Sequence, residues 1–364
     1  MLRHYKPVLI TAFLIGAAFI GKTQTAVNTN SNAVSFLKIS TDPRAGGMGD
    51  AALATSPDVY SARWNMAKLG FADASSGIAL SYTPWMRDLT DNMYMAGLTG
   101  YHQLNEQHSL SFSLRYFNMG DVGLTDFNGN KLASVNPYEW SADLGYALKL
   151  SDKIGLGLGF RYIQSNLGIG SVNETQYKAG NAFAGDISVY FNGLREEGSG
   201  FTAGMAISNL GTRIGYQNNA PGKEYLPANF GLGAAYNFQL EEDLALAFTT
   251  DLNKSLVAGM EPGEDPEIYY EKTVLENLGE SLNGDGWRAS FGTELNFRKQ
   301  FSLRAGYRMG SESDGGANHI TAGFGMKYKT TRFDFSYWAP NGKGTGKSPL
   351  SNTISVGIGF TFNE

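Results

Sequence analysis

The sequence predicts an all-β protein: a fourteen-stranded antiparallel transmembrane β-barrel with an N-terminal plug segment. Three observations point there. Fourteen segments of alternating apolar and polar residues run from about Ser76 to Phe362, the two-residue period of a strand. The connections between them alternate long with short, as in a barrel inserted through one membrane face, with tight turns inside and longer loops outside. A short apolar run follows a basic N-terminus, as in an exported chain.

The elements follow in chain order. Arg3, His4 and Lys6 precede an apolar run at 8–20, too short to span a bilayer as a helix but right for a signal-peptide core. Cleavage is expected close to Gln24, which divides the chain into a signal peptide (1–23), an N-terminal plug segment (24–75) and an outer-membrane barrel (76–364). Export together with a barrel implies the outer membrane of a Gram-negative bacterium.

Along the barrel, Ile154, Leu156, Leu158, Phe160 and Tyr162 alternate with Gly155, Gly157, Gly159 and Arg161. Phe301, Leu303, Ala305, Tyr307 and Met309 alternate with Ser302, Arg304, Gly306 and Arg308. The last segment sets Ile354, Val356, Ile358, Phe360 and Phe362 toward lipid and Ser355, Gly357, Gly359 and Thr361 inward. A soluble sandwich alternates too, so connection lengths decide. The odd connections, about 83–91, 118–137, 166–180, 210–228, 253–286, 310–317 and 339–351, are mostly long. The even ones, about 102–107, 151–153, 192–200, 239–243, 298–300 and 329–330, are mostly tight.

Composition agrees. A mean hydropathy of -0.24 argues against a helical membrane protein but suits strands with one face toward a polar lumen. Many of the 46 glycines fall on inward faces, where they permit a narrow or filled interior. The 22 Phe and 19 Tyr suit outward faces and interfacial girdles. No cysteine is present, which excludes disulfides and thiolate chemistry. The net charge of -5 gives no reason to invoke nucleic acid.

Between signal and barrel lies a segment that is not strand-like. Phe36-Leu37-Lys38-Ile39 leads into Asp42-Pro43-Arg44-Ala45-Gly46-Gly47-Met48-Gly49-Asp50, then an Ala-rich run, Ser56-Pro57-Asp58, and Trp64-Asn65-Met66-Ala67-Lys68-Leu69. Gly46, Gly47 and Gly49 permit positive φ or close backbone approach, so the segment is suited to a confined lumen. A solvated linker is the competing reading, and the apolar bulk of Trp64 and Phe71 weighs against it.

This run resembles the pre-barrel region of the FadL-type outer-membrane barrels, and especially that of the PorV family, the outer-membrane shuttle subunits of the type IX secretion system. The strand count matches as well. One departure is Met66, where related barrels often place proline in Trp-Asn-Pro-Ala. The resemblance implies a plug inside the barrel and a non-enzymatic role in protein secretion. It further implies binding of the C-terminal signal domains of secreted cargo, a type IX translocon subunit as partner, and delivery to a sortase-containing attachment complex within outer-membrane lipid. The alternative is a FadL-like channel that admits hydrophobic small molecules through the lumen and sideways into the membrane. A channel needs an apolar tunnel and an opening; a shuttle needs an outer surface that grips protein and a lumen that can be sealed.

Other patterns carry less. Asn341-Gly342-Lys343-Gly344-Thr345-Gly346-Lys347-Ser348 imitates a P-loop, but it lacks the first glycine and joins two strands, so it reads as an exposed loop. The histidines at 4, 102, 108 and 319 form no ligand spacing, and His102 and His108 bracket a tight turn. No nucleophile elbow appears, no catalytic residues are assigned, and no cofactor or metal is called for. Inward Arg161, Arg304, Arg308, Lys327 and Asp334 read as ion pairs that pin the plug ahead of a selective pore.

The outer connection at 253–286 contains a helix signal. Asp265 is the cap, Pro266 the first helical residue, and Tyr270, Val274, Leu278 and Leu282 form a stripe, with Gly279 as a stop. Glu261, Glu264, Asp265 and Glu267 lack calcium-loop spacing. Large side chains recur in other outer loops, including Phe127, Tyr138, Tyr216 and Tyr225. Because aromatic anchors dominate protein interfaces, Trp85, Met86, Tyr269 and Tyr270 are the expected cargo-docking residues.

Overall fold

The computed structural model describes residues 32–363 apart from 87–91, 126–129, 169, 173–174, 218–221, 261–263, 312–317 and 342–349. The signal and its cleavage region, Phe127, Glu261 and the glycine-rich loop 342–348 therefore lie outside the described residues. Within them, fourteen strands close into one barrel. They are β1 (Ser76–Pro84), β2 (Tyr94–Gln103), β3 (His108–Asn118), β4 (Tyr138–Lys149), β5 (Ile154–Asn166), β6 (Gly180–Leu194) and β7 (Gly200–Gly211), followed by β8 (Asn229–Glu241), β9 (Leu244–Ser255), β10 (Trp287–Phe297), β11 (Phe301–Gly310), β12 (Asn318–Tyr328), β13 (Thr331–Asn341) and β14 (Thr353–Phe362).

Each strand pairs antiparallel with the next, and β14 returns to β1 from Ser76 opposite Phe362 to Tyr82 opposite Val356. Closure leaves no open sheet edge, which a bilayer interior demands. The ladder shifts register within β6, between Gly185 and Ile187, and at the end of β8. Two small hairpins that the alternation pattern does not reveal stand in the outer connections: Val122–Thr125 with Lys131–Val135, and Ser171–Val172 with Thr175–Gln176.

The strand period sorts the side chains. On β1, Ile78, Leu80 and Tyr82 face out, while Ala79, Ser81 and Thr83 are buried inward. Toward the end with long connections, Tyr82, Tyr94, Tyr116 and Tyr138 follow one another across β1–β4 at ring separations of 5.5, 6.2 and 6.0 Å. Trp140, Tyr162 and Phe183 extend the belt at 5.4 and 5.3 Å. This is the aromatic girdle of a barrel at its outer membrane interface. Protease added to sealed cells should therefore cut in the outer connections, at 261–267 and 342–347, and spare the two-residue turn at 242–243; cleavage at that turn would invert the topology.

Candidate functional site

From Asn32 onward the pre-barrel chain packs against inward-facing wall residues. A 3-10 turn at Ser35–Lys38 stacks Phe36 on Phe117 of β3 at 6.5 Å, with Arg115 over the same ring. Asp42 caps the single-turn helix Pro43–Gly46 by accepting from Arg44 N and Ala45 N at 2.8 and 3.1 Å, and proline suits the first position because its missing N–H is an orphan there anyway. Trp64 Nε1 donates to the other Asp42 oxygen at 2.9 Å. Asn65 donates to Leu53 O and to Val189 O of β6, so one amide ties two parts of the segment to the wall.

Charge pairing fixes this segment in place. Arg44 grips Glu294 of β10 with two bonds of 3.0 and 2.9 Å and reaches Asp58 at 2.8 Å. Glu294 also accepts from Arg304, which pairs with Asp334, which in turn holds Arg332. Asp50 meets Arg308 at 2.9 Å, and Asp251 of β9 accepts from Ala52 N and Leu53 N. Burial works against the Arg44 charge, yet Glu294 and Asp58 more than offset it and hold the guanidinium above its ordinary pKa. Burial likewise raises Asp58, but Arg44 and Lys68 outweigh it and leave the carboxyl below its usual range. Arg161 instead pairs within the wall, with Asp143 and Asp186. Lys327 departs from the expected set: near the turn between β12 and β13 it is exposed rather than paired with the segment.

The inward glycines make room for backbone. A Cβ on Gly47 would come within 2.9 Å of Gly323 Cα, so two glycines let chain and wall touch. Gly47 itself has φ -67°, so space and not positive φ explains it; the positive φ belongs to Gly49, at +68°. Gly46 lies against Ser336 and Trp338. Met66 is buried against Gly145, Gly157 and Gly159, a groove that an unbranched thioether fills where a rigid proline would not.

Little remains open between this segment and the wall, while two clefts of about 330 Å³ lie elsewhere, one among the outer connections beside Asn166 and Tyr216 and one along β1–β4 beside Leu98 and Tyr116. The cavities between this segment and the wall measure about 60, 20 and 10 Å³. The largest lies at the end with long connections, where Leu37, Lys38, Arg63 and Trp64 meet Arg161, Asn209, Asn253 and Arg288. Above it, the outer connection between β9 and β10 forms two short helices, α1 (Pro266–Glu271) and α2 (Val274–Ser281). Arg213 donates to Lys272 O, and Tyr225 Oη donates to the same carbonyl at 2.7 Å, so the connection after β7 clamps the helix pair. Hydrogen bonds to Glu264 and Glu280 raise the pKa of Lys272 between the helices.

A family model described as type IX secretion system protein PorV matches residues 22–262. The chain belongs to the PorV family. No curated protein matches its sequence. Solved structures share the fold of this PorV-family barrel. A monoaromatic hydrocarbon channel, a TodX deltaS2S3 mutant, is 13% identical, with a TM-score of 0.58 over 88% of this chain and 98% of its own. The toluene transporter TodX of Pseudomonas putida is 14% identical, with a TM-score of 0.53 over 88% and 97%. The CymD monoaromatic hydrocarbon channel is 12% identical at 0.54, over 88% and 97%. Barrel and family together place the protein in the outer membrane of a Gram-negative bacterium.

The four residues expected at a docking surface of this PorV-family chain divide into two separate clusters. Trp85 is 5% exposed and packs with Phe36, Met95 and Phe117, with Met86 partly buried beside it at φ +50°. Tyr269 is fully buried with Tyr225, Leu256 and Val257, its Oη donating to Ala258 O, and Tyr270 is partly buried at its edge. Trp85 and Tyr269 thus close apolar cores beneath the loops. The expected single helix is broken at Lys272, because the Thr273–Glu276 capping box starts a second one that continues through Gly279 to Ser281. Tyr270, Val274 and Leu278 pack downward, while Leu282 is 60% exposed. Periodicity alone missed Ile268 and Leu275, which the break turns outward at 58% and 75% exposure.

Proposed function

We propose that this PorV-family barrel acts in type IX secretion as a non-catalytic shuttle. It binds the C-terminal signal domain of secreted cargo at its outer face and carries it from the translocon to the sortase-containing attachment complex. In this reading residues 1–23 are the export signal and 24–75 the plug, with Gly46, Gly47, Gly49 and Trp64 seating it. The observation that carries the reading is the filled lumen: a channel for hydrophobic molecules needs an apolar passage, and the cavities between segment and wall are small and lined by arginines, hydroxyls and amides as much as by apolar groups. Similarity in fold to hydrocarbon channels, at 14% identity or less, concerns architecture only.

The docking face lies on the outer connections, where Met86 and Tyr270 keep partial exposure and Ile268 and Leu275 are exposed. Trp85 and Tyr269 support that face from beneath, so their replacement by alanine should loosen the loops as well as weaken binding. Mild crosslinking in the native membrane followed by affinity purification tests the reading. Secreted proteins sharing a C-terminal domain should be recovered, and fewer should come with Ile268→Ser/Leu275→Ser. Recovery of none would favour the channel.

A further inference from the structure

We infer that the periplasmic rim of the barrel carries a binding site for the headgroup of an anionic phospholipid. It is built from Arg298 and Lys299 in the turn between β10 and β11, Lys327 near the end of β12, and Lys329 in the turn between β12 and β13. All four side chains are exposed, and the two turns stand side by side, because Lys327 N donates to Gln300 O at 2.7 Å. Asp243, on the turn before them, pairs with Arg298 at 3.4 Å, with both side chains 60% exposed. Lys299, Lys327 and Lys329 have no carboxylate at ion-pair distance among the described residues.

Position selects the ligand. Arg298 lies over the Phe297 ring at 5.1 Å and Lys329 over the Tyr328 ring at 5.5 Å. Both rings are on the lipid-facing side of the wall, with Phe301, Met326 and Phe333 exposed beside them. The cations therefore stand at the boundary of hydrocarbon and water, at the end opposite the tyrosine girdle, with stems along apolar surface and charges at headgroup depth. A periplasmic protein would meet the rim from below and has no need of cations folded over lipid-facing rings. The charge is placed there against the preference of the backbone. Gln300 N donates to Phe297 O, closing a turn whose central residues, Arg298 and Lys299, have φ of +53° and +52°. Asn-Gly fills such a pair of positions at least cost, and Lys329 sits at +54° in its own turn. The adjacent arc of the rim carries the other sign, with Glu196 and Glu197 after β6 and Glu241, Glu242 and Asp243 at the turn between β8 and β9. Attraction for an anionic headgroup is thus confined to one sector, and a chain of net charge -5 offers none in general. Its binding does not depend on the cargo reading.

The test uses the full-length chain purified in detergent and titrated with lipid in mixed micelles, with bound lipid counted by native mass spectrometry. Dioleoyl phosphatidylglycerol should bind saturably where dioleoyl phosphatidylcholine does not. Arg298→Asn/Lys299→Gly gives the turn its preferred residues and so should fold at least as well; combined with Lys329→Asn it should weaken phosphatidylglycerol binding at least tenfold while the barrel stays heat-modifiable. If the triple variant fails to insert, Arg298→Asn/Lys299→Gly alone decides, with a loss of at least threefold expected. Arg195→Asn, in the acidic arc, should leave binding unchanged. Equal binding of the two lipids, or undiminished phosphatidylglycerol binding by the variants, overturns the site. So does a variant that holds the lipid as before but loses a periplasmic protein crosslinked through Lys299 in the unaltered membrane, since the turns would then face protein.

Discussion

Arg44→Met should destabilise the barrel by about 3–5 kcal/mol, the range for removing one partner of a buried charge network. The arginine is 5% exposed and makes five hydrogen bonds, to Glu294, Asp58 and the Ser56 carbonyl and hydroxyl. In the variant Glu294 keeps Arg304, and Asp58 keeps Tyr60 N, Ser61 Oγ and the Lys68 charge, so the loss is shared between two partly compensated carboxylates. Without Arg44, Asp58 loses the largest of the charges that oppose its burial, so its folded pKa should rise. The deficit should then be full above the new folded pKa and shrink as pH falls through it, because the buried carboxyl takes a proton. In the native protein the sign is reversed: a lowered Asp58 adds stability above the ordinary carboxylate range that is lost as pH falls through the folded value. Urea unfolding in detergent at several pH values measures both. A loss under 1 kcal/mol that does not vary with pH would mean that the lumenal segment is held by packing alone, and Arg44→Lys should recover little, since one ammonium cannot replace a five-bond fork.

Much of the barrel is legible in the sequence because membrane and lumen impose opposite demands on successive residues. Leu156, Leu158 and Phe160 against Gly155, Gly157 and Gly159 state the two faces of β5 outright, and the short turns give the register. The small outer hairpins lack such a two-sided environment and leave no comparable trace. The helix break at Lys272 was hidden because Tyr270, Val274 and Leu278 keep a four-residue period across it; Thr273 followed by Glu276 was the local signal. Side-chain size in a loop likewise says nothing about direction. Trp85 and Tyr269 look like anchors in the chain and are cores in the fold, whereas Ile268 and Leu275 appear ordinary and are exposed. The mouth cavity was beyond reach for another reason: Lys38, Arg63, Arg161 and Arg288 converge only after the lumenal segment and the wall are brought together.

Gly306→Val should unseat the lumenal segment. A side chain there would run into the Met48 carbonyl carbon and the Gly49 nitrogen, and both neighbours are backbone that cannot rotate aside. Gly49 sits tightly on this same stretch of strand, its φ of +68° set by the turn and its Cα close against Tyr307 backbone, so it has no slack with which to absorb the added bulk in place. Overpacking of this kind costs roughly 1–3 kcal/mol or more. The cost falls on one local contact while the fourteen-strand ladder keeps its hydrogen bonds, so displacement of the segment is the cheaper response to the clash. The variant should therefore insert and remain heat-modifiable, yet expose sites within 40–60 to protease and conduct ions in a planar bilayer where the native protein is nearly silent. Gly123→Val is the control, since a side chain at Gly123 meets nothing within 4 Å. If Gly306→Val stays non-conducting and protease-resistant with unchanged unfolding, the close seating of Met48–Gly49 on β11 is not what closes the lumen.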